Sequence, residues 1–179
     1  MTTALEAIDK IRDTAESLER FFLVEVMGRH AGFIALEVAI TGGAEEVLVP
    51  EVRPDLQAIC DRLCSGKARG KKSSLVIVAE GAFPGGVQAV ADALRERSGN
   101  EYRICVLGHV QRGGSPSAAD RLLATCLGAF AVQAALAGET GKMCGGSGGK
   151  LVLTPLEDTF ARKKPLDPEL LDLAWRLAI

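Results

Sequence analysis

Residues 21–41 read FFLVEVMGRHAGFIALEVAIT. The opening FFLVEVMG (21–28) is apolar and β-rich and predicts a short strand. RHAG is a glycine-bearing turn, and FIALEVAIT (33–41) predicts a helix that Gly42 and Gly43 close. Strand, tight turn and helix in direct succession form the repeating unit of an α/β fold. The same rhythm extends both ways. Upstream, residues 3–20 keep Leu5, Ile8, Ile11 and Ala15 at helical spacing. Downstream, EEVLVPE (45–51) predicts a second strand, 55–63 a helix, and KARGKK (67–72) a basic turn. SSLVIVAEG (73–81) is the strongest strand signal, followed by a GAFPGG loop and an amphipathic helix over 87–97. YRICVLG (102–108) predicts a further strand, and HVQRGGSP a loop. Ser115 and Pro116 predict a helix start, cap then proline, for a helix reaching about residue 137. The tail holds GGSGG (145–149), a short strand KLVLT and a last helix over 168–178.

Alternating strands and helices predict a mainly parallel sheet covered on both faces. No internal repeat or long linker divides residues 1–179, so the expectation is a single lobe. Apolar residues at 47% and charged residues at 25% exclude disorder and a coiled coil. A net charge of −2 and only 4% aromatic residues argue against bulk nucleic-acid binding, through phosphates or through base stacking. Five cysteines (Cys60, Cys64, Cys105, Cys126, Cys144) show no repeated pair spacing. Cys60 and Cys64 fall one helical turn apart, but no further pair completes a zinc site, so no metal ligands are assigned. Structural thiols in a reduced, cytoplasmic protein are the expectation. The N-terminus MTTALEAIDKIRD lacks a basic-then-apolar signal sequence. The longest uncharged stretch, residues 122–138, falls short of the ~20 apolar residues of a membrane span and predicts a buried helix.

Parallel sheets of this kind bind ligands beyond the carboxyl ends of their strands. The residues at those ends are Met27-Gly28-Arg29-His30, Glu80-Gly81 and Gly108-His109-Val110-Gln111-Arg112-Gly113-Gly114. Both histidines of the chain fall there, with Arg29 and Arg112. Glycine lets backbone approach a ligand, helix N–H groups face it, and arginine forks onto phosphate oxygens. Arg20 and Arg103 add candidate charges, and Glu80 is suited to accept from hydroxyls. Each of these residues, taken singly, has an ordinary structural reading: surface arginine, loop histidine, helix-dipole carboxylate. Their convergence at one sheet edge points to an anionic, hydroxyl-bearing small molecule. The basic turn 67–72 reads as a solvated face, with a second anion site the minority reading. A Walker phosphate loop, a nucleophile elbow, a zinc-protease motif and a dinucleotide glycine fingerprint are all absent from the sequence.

VEVMGRHAG (24–32) and VLGHVQRGGSPSAADR (106–121), with DTAESLER, ITGGAEEVLVPE and VIVAEGA in order, resemble the C-terminal half of the phosphofructokinase family. The resemblance spans essentially the whole chain and implies a three-layer αβα lobe. It implies a role in glycolysis, with the 1-hydroxyl of fructose 6-phosphate receiving a phosphoryl group from Mg2+-ATP or, in some branches, pyrophosphate. By motif, Met27, Gly28 and Arg29 would contact the sugar, with Arg29 also steadying transferring charge. Glu80 would take sugar hydroxyls, and His109 and Arg112 the 6-phosphate. Arg20 and Arg103 match positions that reach the 6-phosphate of a neighbouring subunit, which implies a homo-oligomer with shared sites. Arg12, Glu45 and Lys71, with Arg69 near a second lysine position, match a bacterial effector site. DTAESLER carries Leu18 where the family usually has His, while Arg20 is kept.

The family's nucleotide-binding glycine motifs and the T-I-D-N-D-type segment with its catalytic aspartate do not occur in this sequence. The resemblance therefore implies a fructose-6-phosphate-binding lobe, 1–179, of a larger subunit, without its nucleotide-binding lobe. Such a chain would not turn over alone and would bind neither Mg2+ nor the phosphoryl donor by its own residues. The alternatives are a non-catalytic sugar-phosphate-binding regulatory subunit, or a pyrophosphate-dependent enzyme. No nucleic acid and no membrane is expected as a partner.

Overall fold

A computed structural model describes residues 1–177. They fall into two compact units, one of residues 1–113 with the segment from Leu166 onward, the other of residues 114–165.

In the first unit α1 (Thr2–Leu18) leads into β1 (Phe21–Val26), α2 (Phe33–Thr41), β2 (Glu46–Leu48), α3 (Leu56–Ala68), β3 (Ser74–Ala79), α4 (Gly86–Ser98) and β4 (Tyr102–Val106). The strands form one parallel sheet in the order β2-β3-β1-β4. α1 packs with α2, and α3 with α4, giving two helical layers around the sheet. All six residues of β3 are buried, as a strand covered on both faces requires. Ile8, Leu23, Leu36, Leu48, Ile77 and Leu94 are among the largest fully buried side chains. Each such side chain contributes about 1.5–3 kcal/mol by leaving water. α7 (Pro168–Leu177) packs on α2; residue 178 of the predicted last helix lies outside the described residues.

Topology locates the ligand crevice. The chain steps from β1 past β3 to β2, then returns through β3 and past β1 to β4. With right-handed crossovers the loops after β1 and β3, which are neighbouring strands, leave toward opposite helical layers. The gap between two such loops is where open α/β sheets take their ligands.

In the first unit the clearest differences from the sequence reading are at β2, α3 and the turn after β4. β2 is three residues long rather than seven, because only Glu46–Leu48 pairs with β3. α3 runs on to Ala68, so Lys67 belongs to its last turn and not to a basic loop. Leu63 and Gly66 continue its buried face. After β4 the chain forms a short 3₁₀ turn, Gly108–Arg112, in place of an open loop.

The second unit holds α5 (Ala118–Leu136), an antiparallel hairpin of β5 (Lys142–Ser147) and β6 (Lys150–Pro155), and α6 (Leu156–Ala161). α5 starts at Ser117, not at Ser115 and Pro116. The Ser117 hydroxyl accepts the Asp120 N–H, and the Asp120 carboxylate accepts the Ser117 N–H at 2.9 Å. The Ser117 hydroxyl, which can also donate to that carboxylate at 2.7 Å, and then the Ser117 N–H hold the Asp120 carboxyl below its ordinary value. Gly145 and Gly146 lie inside β5, and Gly148 and Gly149 make the hairpin turn with φ of 55° and 75°.

The expectation of a buried helix over 122–138 fails: no residue of α5 is buried. A two-stranded ribbon and one short helix are too little chain to cover it. By length and a mean hydropathy of 1.3, α5 is apolar enough to cross a membrane, a measure that core helices of soluble proteins also meet.

Candidate functional site

β1 and β3 end level, with Val26 opposite Ala79. The register continues past the sheet. The Glu80 N–H donates to the Val26 carbonyl at 2.8 Å, and the Leu107 N–H to the Glu25 carbonyl at 3.0 Å. Three loops are thereby held side by side. Gly81 makes the closest approach possible: at φ 81°, a Cβ there would overlap the Arg29 carbonyl oxygen.

A hollow of about 370 Å³ opens at this edge, lined by Glu25, Val26, Met27, Arg29, Glu80, Val106, Gly108, His109 and Arg112. Five sequence-predicted residues therefore meet: Met27, Arg29, Glu80, His109 and Arg112. Gly28 lies between two of them, its N–H 3.5 Å from Glu80 Oε2. Arg29, at φ 49°, is one of two non-glycine residues in the left-handed region among those described, and its N–H stands 3.4 Å from the same oxygen. One Glu80 oxygen thus faces the loop backbone, leaving the other for a ligand. Among the described residues Arg29 and Arg112 make no ion pair, so both guanidinium groups are open to an anion.

Positive charge in the hollow comes from side chains. At the two helix starts beside it, one N–H each is already taken by a carboxylate. The Gly32 N–H at the start of α2 donates to both Glu51 carboxylate oxygens, at 2.9 and 3.1 Å. The Val87 N–H of α4 donates to Glu25 Oε2 at 3.1 Å. Glu25, Glu51 and Gln111, whose Oε1 accepts the Met27 N–H at 2.8 Å, are the residues sequence reasoning missed. Gln111 lay within a quoted motif. The two carboxylates gave no local signal, since their partners are distant in sequence.

Arg20 and Arg103 stand apart from the hollow. Arg20 precedes β1 and Arg103 is the second residue of β4. At about 3.3 Å per residue the six residues of β1 separate Arg20 from Met27 by roughly 20 Å.

A second hollow, of about 290 Å³, lies at the opposite, amino end of β2 and β3. It gathers Glu45, Arg69 and Lys71 with Glu46, Asp61, Arg62, Ser65 and Ser74. Lys71 Nζ pairs with Glu45 at 2.8 Å. Arg62 forks onto Glu46, whose carboxyl is pushed above its ordinary value by burial and pulled back by the guanidinium. Arg12 is not among the lining residues; its guanidinium donates to the Gly42 carbonyl. Among the described residues no group of three or more His, Cys, Asp or Glu converges to hold a metal ion.

The sequence pattern of the phosphofructokinase family matches residues 1–135. The chain is 54% identical over 179 residues to "ATP-dependent 6-phosphofructokinase 1" of Thermus thermophilus, covering all of this chain and 56% of that protein. It superposes on phosphofructokinase of Saccharomyces cerevisiae with a TM-score of 0.83 and 34% identity, over 98% of this chain and 25% of the yeast chain. Against a pyrophosphate-dependent phosphofructokinase of Nitrosospira multiformis the TM-score is 0.70 at 26% identity, over 88% and 45% of the two chains. The chain thus spans about half the length of the curated relative. The pattern match, the shared αβα architecture and the identity along the full 179 residues together show that this chain belongs to the phosphofructokinase family.

Proposed function

We propose that residues 1–179 form the fructose-6-phosphate-binding lobe of a 6-phosphofructokinase, a phosphotransferase acting in glycolysis in the cytoplasm. The observation that carries this reading is the gathering of Met27, Arg29, Glu80, His109 and Arg112 around one hollow of about 370 Å³. His109 and Arg112 grip the 6-phosphate. Met27, Gly28 and the free oxygen of Glu80 meet the sugar, and Arg29 steadies charge on the transferring group. Anchoring the phosphate away from the reacting centre holds the 1-hydroxyl in place for transfer.

The donor, its Mg2+ and the catalytic aspartate belong to the part of the longer protein this chain does not span, so the chain alone does not turn over. The donor is ATP in the Thermus relative's name and pyrophosphate in the Nitrosospira neighbour's. Arg20 and Arg103, exposed and far from their own hollow, would serve the 6-phosphate of a neighbouring subunit in a homo-oligomer. The hollow of Glu45, Arg69 and Lys71 is an effector site, and Arg12, which does not line it, belongs to that site by motif alone.

Isothermal titration of the chain with fructose 6-phosphate, fructose and inorganic phosphate tests the reading. Fructose 6-phosphate is expected to bind more tightly than either of its parts. A folded sample that gives no heat with millimolar fructose 6-phosphate, or no preference for it over phosphate, overturns it. Sedimentation run alongside reports the oligomeric state in which binding occurs.

A further inference from the structure

Gln111 sits in the 3₁₀ turn between His109 and Arg112, and its side chain spans 84 positions of sequence to reach the end of β1. There its Oε1 accepts the Met27 N–H at 2.8 Å. The amide can face Met27 only this way round, because a backbone N–H needs an acceptor and Nε2 is a donor. Nε2 is left shut off from solvent with no partner among the described residues. An unpaired buried donor is costly, so the side chain is placed for its oxygen and not for its nitrogen.

Met27 is the first residue beyond β1. The next two N–H groups, of Gly28 and Arg29, reach Glu80 only at 3.5 and 3.4 Å, and Arg29 holds a left-handed backbone. The bond from Gln111 is the short, well-made anchor of this turn.

We infer that Gln111 is a positioning residue. Acting through the Met27 N–H, it locks the Met27–Gly28–Arg29 turn to the His109–Arg112 turn, so that the sugar end and the phosphate end of one ligand meet both at a set separation. The inference rests on the sugar-phosphate reading above and adds to it a residue that acts through backbone rather than on the ligand.

The test compares affinities for fructose 6-phosphate and inorganic phosphate in three proteins. Phosphate needs only the His109–Arg112 end, whereas the sugar phosphate needs both. In Gln111→Leu, phosphate affinity is expected to stay within about twofold while that for fructose 6-phosphate falls about tenfold, the scale of one hydrogen bond. Gln111→Glu keeps an acceptor for Met27. Its added negative charge weakens both ligands, and the ratio of the two affinities stays as in the parent. Amide hydrogen exchange at Met27 is expected to stay slow in the parent and in Gln111→Glu, and to become fast in Gln111→Leu.

A leucine variant that keeps the parental ratio, or one that loses both ligands equally, overturns the inference while leaving the sugar-phosphate reading intact. A parent chain with no preference for fructose 6-phosphate over phosphate overturns both. Should far-UV circular dichroism show Gln111→Leu unfolded, Gln111→Ala takes its place with the same expected ratio.

Discussion

Cys60 and Cys64 lie one turn apart on α3, as their spacing in sequence predicts, with the two sulfurs 4.0 Å apart. The sequence does not tell which of the five thiols reacts, because reactivity follows burial. Cys60 is 3% exposed, and burial pushes its thiol above the ordinary value, with the Cys64 contact adding to the rise. Cys126 on α5 is exposed. The thiolate is the nucleophile, so a raised value leaves less of it at any given pH. Iodoacetamide at about pH 8 is therefore expected to modify Cys126 first and Cys60 last, as read by peptide mass spectrometry over time. Equal rates at the two sites would show that α3 opens in solution.

At the scale of elements, the strands and the loops after them were legible, because apolar runs bounded by glycine carry their own signal. Met27, Arg29, Glu80, His109 and Arg112 were legible for the same reason: each lies within a few residues of a strand end, and a parallel sheet brings those ends together. Less legible was whatever depends on pairing at a distance. The glycines of β5 carry no strand signal of their own, and only the ladder with β6 makes them strand. Glu25 and Glu51 cap helix N-termini far along the chain, where no local pattern points. Gly81 shows how tightly the two central loops are fitted. An alanine there meets both a left-handed backbone and the Arg29 carbonyl oxygen. Gly81→Ala is expected to destabilise the first unit by about 1–3 kcal/mol, measured by urea unfolding, and to weaken fructose 6-phosphate binding by displacing Arg29. A variant with parental stability and affinity would mean that the β1 and β3 loops are not packed against each other.

The molecule as a whole divides its apolar surface unevenly. Residues 1–113 bury a continuous core between two helical layers, whereas residues 114–165 bury no side chain. Leu122 is 67% and Leu136 84% exposed on α5, with Leu123 and Val132 also open. Sequence alone reads such a helix as core, because an uncharged run implies a cover without saying which part of the protein supplies it. The chain spans only 56% of its Thermus relative. An open apolar face of this kind drives self-association, while contributing nothing to the core of the first unit. Replacing Leu122, Leu123, Val132 and Leu136 together by Gln should then shift the chain toward monomer in sedimentation velocity and reduce its binding of a hydrophobic dye. The urea midpoint of the first unit is expected to hold, because none of the four residues belongs to its core. If α5 were instead covered in the isolated chain, each truncation would cost about 2–5 kcal/mol, as for a buried leucine, and the midpoint would collapse. Unchanged self-association would place the sticky surface elsewhere, with Phe160 at 78% exposed the next residue to replace.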